Sequence, residues 1–186
     1  MFIIKNNYYL YTENTQHMKL DCFKRNRKIS IIYRNNGTYE NQEKLVKFRK
    51  KCKIKKIKFY IANNLELVRN CKADGLYISS YNKNIYPKYN SNLIGSAHNF
   101  KEIYEKIKQG CKTIILSRLF KTSYENKKDY LGIIKFNLII KNYSINIIPL
   151  GGIRNHNLLK LNLVDSSGLA LFSAIKKKPA ISSRLF

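Results

Sequence analysis

No run of roughly 18 apolar residues occurs in the sequence, so a membrane-spanning helix is not expected. The most apolar stretch, Leu131 to Ile153, is broken by Lys135, Lys141, Asn142 and Asn146. The opening segment MFIIKNNYYLY has neither an extended apolar core nor a small-residue cleavage site. It does not read as a signal peptide, and the cytoplasm is the expected location. Linkers are missing too: there is no Gly/Ser-rich or Pro-rich stretch and no low-complexity tail. A single domain over 1–186 is therefore expected, and 44% hydrophobic content is enough to build a sizeable core.

Cysteine and histidine are few and scattered. Cys22, Cys52, Cys71 and Cys111 match no zinc or redox spacing, and His17, His98 and His156 lie equally far apart. Buried cysteines in a reducing compartment are the expectation, and a structural metal site is not. Acidic residues are scarce against basic ones, 11 to 36, which leaves a net charge of +25. Such a surface attracts anions, whether nucleotides, RNA or small phosphorylated substrates. The basic residues nevertheless run through the whole chain in company with many Asn, Ile and Tyr. That is the pattern of coding DNA rich in A and T. The densest cluster, KFRKKCKIKKIK from Lys47 to Lys58, reads as the end of a helix, a turn and the next strand. A solvated basic face is the favoured reading there, ahead of nucleic-acid contact.

What is present is an alternation of short apolar strands with amphipathic segments. Tyr8–Thr12, Ile29–Tyr33, Ile57–Ala62 and Gly75–Ser79 read as strands, rich in aromatic and β-branched residues. So do Asn92–Ser96, Thr113–Leu116, Ile145–Leu150 and Gly168–Phe172. Between them, helices are predicted at Glu43–Lys53, Leu65–Cys71, Tyr130–Lys141 and Asn157–Asn162. The clearest helix follows Asn92–Ser96. Asn99 caps it, Glu102 completes a capping box, and Gly110 ends it. Phe100, Ile103, Tyr104 and Ile107 fall on one face. Strands alternating with helices argue for parallel pairing through crossovers. Eight units leave about 23 residues each, close to the minimum for strand, turn, helix and turn. Helices are expected to be missing at Glu13–Arg27 and at Lys83–Ser91, which contains Pro87. Periodicity alone leaves open whether the sheet closes or stays an open doubly wound sheet.

Several segments, in order, resemble one family. Ala73-Asp74-Gly75-Leu76-Tyr77-Ile78 looks like the strand ADGVHLGQED, and Ile94-Gly95-Ser96-Ala97-His98-Asn99 like I-G-x-S-A-H-N. Leu119-Phe120-Lys121-Thr122 looks like V-F-x-T. The run from Leu131-Gly132 to Ile148-Pro149-Leu150-Gly151-Gly152-Ile153 matches L-G through A-I-G-G-I without a gap. Ser167-Gly168-Leu169-Ala170-Leu171-Phe172-Ser173-Ala174-Ile175 resembles D-G-V-A-V-V-S-A-I. These are the marks of the thiamine phosphate synthase and thiazole tautomerase superfamily, and the resemblance covers roughly residues 8 to 176. It implies an α/β fold, a compact single-domain (βα)₈ TIM barrel with some short or missing helices.

The resemblance also implies a site. A phosphate in such barrels commonly sits where the loops after strands seven and eight meet a helix N-terminus. Gly151 and Gly152 would approach phosphate oxygens with their amides, and Ser173 and Ala174 would add a hydroxyl and further amides. Synthases of the family join hydroxymethylpyrimidine diphosphate to a thiazole phosphate and release pyrophosphate, using Mg²⁺ held by two aspartates together with Arg and Lys. Arg34 matches the arginine of Q-L-R-x-K, although the lysine two positions on is Asn36 here. Thr122 matches the threonine of T-x-[ST]-K, whose lysine is replaced by Glu125; Lys127 or Lys128 would supply the charge. Asn63 and Ser96 are implied as further substrate contacts. The two metal aspartates align with Asn64 and Asn82, which bring amide oxygens but no charge. The tautomerase branch needs no metal but needs a base, and its histidine aligns with Arg118. Three activities stay open: a divergent synthase, a metal-free isomerase, and a non-catalytic binder of phosphate ligands or RNA.

Overall fold

A computed structural model of the chain describes residues 5–23, 27–35, 37, 39–86, 92–122 and 129–172. These residues hold eight strands: β1 (Asn7–Thr12), β2 (Ile29–Tyr33), β3 (Lys58–Ala62), β4 (Gly75–Ile78), β5 (Asn92–Ala97), β6 (Thr113–Ser117), β7 (Asn146–Leu150) and β8 (Gly168–Leu171). Each pairs in parallel with the next, and β8 pairs with β1, so the sheet closes into a barrel. Closure is what periodicity left open.

Among the described residues four α-helices return the chain: α1 (Gln42–Ile54), α2 (Leu65–Asn70), α3 (Phe100–Lys108) and α4 (Gly132–Lys141). Among its described residues the segment between β1 and β2 holds only two 3₁₀ turns, Thr15–His17 and Leu20–Cys22, where a helix was expected to be missing. A cleft of about 400 Å³ remains beside these turns, floored by Met18, Leu20 and Phe48 of the missing helix's neighbourhood. No helix follows β4 among the described residues up to 86, and residues 87–91 lie outside them.

Two predictions need correction. The helix expected at Asn157–Asn162 is instead a pair of 3₁₀ turns, Asn155–Asn157 and Leu159–Leu163. Asn157 explains the break. Its buried side chain donates to the Gly152 carbonyl at 2.8 Å and accepts from the Arg154 amide at 2.8 Å, so it closes a loop instead of extending a helix. The face of α3 is also turned from the expected one. Phe100 and Tyr104 are exposed, whereas Ile103 and Lys106 are fully or almost fully buried. Gly95 on β5 allows this, because a Cβ there would stand 2.9 Å from the Lys106 stem. The apolar part of the lysine packs on the bare strand, and its ammonium reaches the Asn82 carbonyl (2.7 Å) and Gln109 Oε1 (2.8 Å). The α3 cap forms as expected at Asn99, which accepts from the Glu102 amide at 2.9 Å. The Glu102 carboxylate returns one residue further back, to the His98 amide.

The strands bury both faces. Outward residues such as Leu10, Ile31, Phe59, Leu76 and Ile114 form the core under the helices. Inward residues form a second core, with Tyr9, Tyr11, Tyr60 and Tyr77 among Ile32, Ile94, Ile115, Ile148 and Ala170. The barrel is therefore filled by side chains, unusually many of them phenols. Cys52, Cys71 and Cys111 are buried and unpaired, in line with the structural reading, while Cys22 is exposed. Burial pushes the thiols of Cys52 and Cys111 up to about 12, so both stay protonated and inert at neutral pH. No helix among the described residues is long and apolar enough to cross a membrane.

Candidate functional site at the C-terminal mouth

Parallel strands place all their C-terminal ends at one mouth, and the residues singled out in the sequence follow those ends. Arg34 leaves β2 with its amide bonded to the Thr12 carbonyl at 2.9 Å. Its Nε is buried with no hydrogen-bond partner among the described residues, and so is the hydroxyl of Thr122 after β6. Buried polar atoms are almost always satisfied, so two orphans at one mouth mark places where a ligand's acceptors belong. The charge of Arg34 reaches two phenols on the barrel floor, Tyr11 and Tyr77. Tyr11 donates to the Tyr77 oxygen at 3.0 Å, and Ser96 is hydrogen-bonded to Tyr77 as well. Burial raises both phenols above their ordinary range, more strongly for Tyr11, so both remain neutral hydrogen-bonding groups. The ring of Phe172, just past β8, lies 5.7 Å from that of Tyr11.

Gly151 and Gly152 end β7 with φ of 101° and 70°, a region that favours glycine. A Cβ on Gly152 would run into the Phe120 and Lys121 carbonyls of the loop after β6. That loop is clamped onto them: the Leu119 amide donates to the Leu150 carbonyl at 2.9 Å and the Phe120 amide to that of Gly151 at 3.1 Å. The Arg118 stem lies 3.1 Å from where a Gly151 Cβ would stand. An arginine thus flanks the glycine turn, a contribution the sequence reading misses because it treats Arg118 only as the loss of a histidine. The adjacency of β6 and β7 in the barrel is the signal that would have found it. Ser173, Ala174 and Lys127, like Glu125, Lys128 and Asn36, lie outside the described residues.

The implied metal positions are differently employed. The Asn64 side chain caps α2 by accepting from the Leu67 amide at 2.8 Å. Asn82 Oδ1 accepts from the Asn84 amide at 2.9 Å, and its amide nitrogen donates to Asn63 Oδ1 at 3.1 Å. Asn63, itself at φ 58°, also accepts from the Ser79 amide and donates to Ser79 Oγ and the Tyr81 hydroxyl. Every one of these amide oxygens already has a donor, no carboxylate accompanies them, and the Lys106 ammonium holds the Asn82 backbone from behind. The set does not fit Mg²⁺, which asks for anionic oxygen ligands. No cluster of three metal-ligating residues exists among the described residues. Instead these asparagines form a bracket that ties the ends of β3 and β4 together. His98 is occupied elsewhere: its Nδ1 stands 3.0 Å from Glu102 Oε2 on the exposed start of α3.

Comparison with known proteins follows the same line. The family model described as thiamine monophosphate synthase matches residues 9–175. A thiamine-phosphate synthase of Prochlorococcus marinus is 25% identical over 183 residues, 93% of this chain and 52% of that protein. One from Chlorobium phaeobacteroides is 22% identical over 134 residues, 68% of this chain and 64% of its own length. The chain thus spans about half the length of the first of these relatives. Among solved structures, thiamine phosphate pyrophosphorylase from Pyrococcus furiosus superposes with a TM-score of 0.71 at 17% identity, over 96% of this chain and 91% of that one. The Bacteroides thetaiotaomicron pyrophosphorylase gives 0.62 at 16%, over 90% and 83%. At such identities the likeness is one of fold.

Proposed function

From a chain that belongs to the thiamine monophosphate synthase family, we propose a protein of thiamine biosynthesis that binds a phosphorylated thiazole, or a similar small phosphate ester, at the barrel's C-terminal mouth. The observation that carries this is the pair of orphaned buried groups, Arg34 Nε and Thr122 Oγ1. Arg34 would neutralise the anion, Thr122 would donate to it, and Arg118 beside Gly151 would meet a phosphate at the glycine turn. Ser173 and Ala174 are assigned the rest of that phosphate cradle from the family pattern. The tyrosine floor would receive the uncharged ring, stacking on Phe172 and hydrogen-bonding to Tyr77.

Coupling to hydroxymethylpyrimidine diphosphate releases pyrophosphate, whose growing charge must be neutralised as the carbon–oxygen bond breaks. With no fit for Mg²⁺, that work falls to Arg34, Arg118 and the lysines after Thr122. We infer that coupling, if retained, is slow and independent of the metal. The tautomerase reading gains no support, since His98 is paired with Glu102 at the start of α3 and Arg118 stands where that branch's histidine aligns.

Calorimetric titration with a thiazole phosphate is the direct test. Binding that weakens at least about tenfold in Arg34→Met and in Thr122→Val supports the reading, each change removing a charge-assisted or neutral hydrogen bond. No heat from the wild-type protein at millimolar ligand would sink it. A pyrophosphate-release assay with and without chelator then decides the chemistry: normal turnover abolished by chelator would refute the metal-free view. Growth of a thiamine auxotroph lacking its synthase would place the protein among the active transferases.

A further inference from the structure

The barrel's other end carries a charge pattern that the mouth does not use. In a parallel βα barrel every helix runs back toward the strand starts, so all helix C-termini and all strand N-termini meet at one rim. The chain places its cations there. Arg27 and Lys28 precede β2, and Lys55, Lys56 and Lys58 lead from α1 into β3. Lys72 precedes β4, Lys112 precedes β6, and Lys141 closes α4. All but Lys55 are exposed. Because β2, β3 and β4 are neighbours in the sheet, the first six of these fall on one sector. The acids nearby are few: Asp74 is closed by Arg49 at 2.8 Å and by the Phe59 amide, and Asp21 lies 3.9 Å from Lys55.

Two explanations of the pattern fall short. Cations at helix C-termini complement the helix dipole, which accounts for Lys141 but not for Arg27, Lys28, Lys58 or Lys112, which lie outside helices. Local backbone preference argues against two others. Lys56 and Lys72 sit at φ 58° and 50°, in the left-handed turns after α1 and α2, where Gly110 serves after α3. Glycine is the residue those positions favour; lysine is kept there against the backbone's preference. Neither helix dipoles nor backbone preference therefore accounts for the rim's exposed cations.

We propose that this rim docks the phosphate backbone of a double-helical nucleic acid, without reading its bases. Lysine, a point charge on a flexible stem, dominates the sector, and phosphate contact is what such residues supply. The described rim presents no exposed aromatic ring on which unpaired bases would stack. A membrane surface fits less well, because the exposed large apolar residues lie mostly elsewhere: Ile134 and Leu138 on α4, Leu159 and Leu163 after β7. Ile54, at the end of α1, is exposed at the rim.

The test is fluorescence anisotropy with a labelled RNA duplex of about 20 base pairs, at salt from about 50 to 200 mM. With about five phosphates neutralised, affinity is expected to fall by two to three orders of magnitude across that range. Lys56→Gln, Lys58→Gln and Lys72→Gln together should flatten the slope of log K against log salt by about three. The matching Glu triple should weaken binding at least about tenfold at low salt. A control triple, Lys44→Glu, Lys101→Glu and Lys135→Glu, makes the same charge change away from the rim. Equal loss in the control would mean diffuse attraction by net charge and would overturn the proposal. So would tighter binding to anionic phosphatidylglycerol vesicles, or to the single strand, than to the duplex. Circular dichroism of all three triples, with melting, keeps a folding defect from passing as a binding one.

Discussion

The two ends of the barrel are built from the same kinds of residue and hold them in opposite states. At the mouth both signs are present: Arg34, Lys44, Lys83, Lys101, Arg118, Lys121, Lys135 and Arg154 share it with Glu13, Glu40, Glu43, Glu66 and Glu102. There polar side chains are drawn inward, bracketed to one another or left orphaned under cover. At the N-terminal rim most charges are positive and stand in solvent, with Asp21 and Asp74 the acids beside the lysine sector. The difference follows from helix direction. First turns favour acids and last turns favour bases, and parallel topology gathers all first turns at one end and all last turns at the other. Burial then makes the mouth specific, since an unpaired buried group discriminates strongly between having and lacking a partner. Exposure makes the rim general, since charges in solvent hold phosphates without discriminating between the bases they link.

The comparison is broken most forcefully at Gly152. Replacement by Asp or even Ala forces a side chain into the Phe120 carbonyl at an unfavourable φ. A loss of about 3 kcal/mol or more is expected, seen as a fall in Tm of roughly 6 to 12 °C by circular dichroism. That makes Gly152 a poor probe of phosphate binding, because fold and ligand are lost together.

Arg34 and Thr122 separate the two. Thr122→Val removes an orphaned hydroxyl, so Tm should hold or rise slightly while ligand affinity falls at least about tenfold. A fall in both would show that the hydroxyl has a structural partner, and the mouth would then resemble the asparagine bracket. The bracket gives the opposite signature: Asn63→Ala breaks four hydrogen bonds between the ends of β3 and β4 and should cost about 2 kcal/mol in a chemical denaturation series. Rim variants sharpen the contrast from the other side. Lys58→Gln should leave affinity for a thiazole phosphate within about twofold, since screening by salt cuts long-range effects between the ends.

The smallest effect expected is at the start of α3. Burial works to raise the Glu102 carboxyl, but hydrogen bonds from the His98 ring and amide and from Asn99 outweigh it and hold it below its ordinary value. A carboxylate so depressed contributes stability above its unfolded value and loses it as pH falls through the folded one. The acid side of a Tm-against-pH profile should therefore be shallower in Glu102→Gln; an unchanged slope would show that the cap carries no titration-linked stability.

Much of the barrel was legible along the chain because strand and turn chemistry are local. The predicted strands Ile29–Tyr33 and Gly168–Phe172 lie within one residue of β2 and β8. The missing helix after β1 was expected because eight units share so short a chain. Where reading failed, a distant residue had intervened. Gly95 turned α3 by admitting the Lys106 stem, and the carbonyl of Gly152 captured Asn157 and stopped a helix. No pattern within either helix carries that information. The site divides in the same way. Arg34 and Thr122 stood out as sequence positions, but that their polar atoms are buried and unsatisfied is a property of the packed mouth. Asn64 and Asn82 looked like weakened metal ligands until their oxygens were found bonded to amides of their own loops.

Composition, strand rhythm and the order of motifs were sufficient to establish an alternating α/β chain, its family resemblance and its surplus of positive charge. They act through neighbours a few residues apart, or through sums over the whole chain, and neither needs a fold. Barrel closure, the tyrosine floor beneath Arg34, the arginine beside Gly151 and the gathering of lysines on one rim all depend on which strand ends become neighbours. That is settled by eight parallel pairings made at once, between residues far apart in the chain.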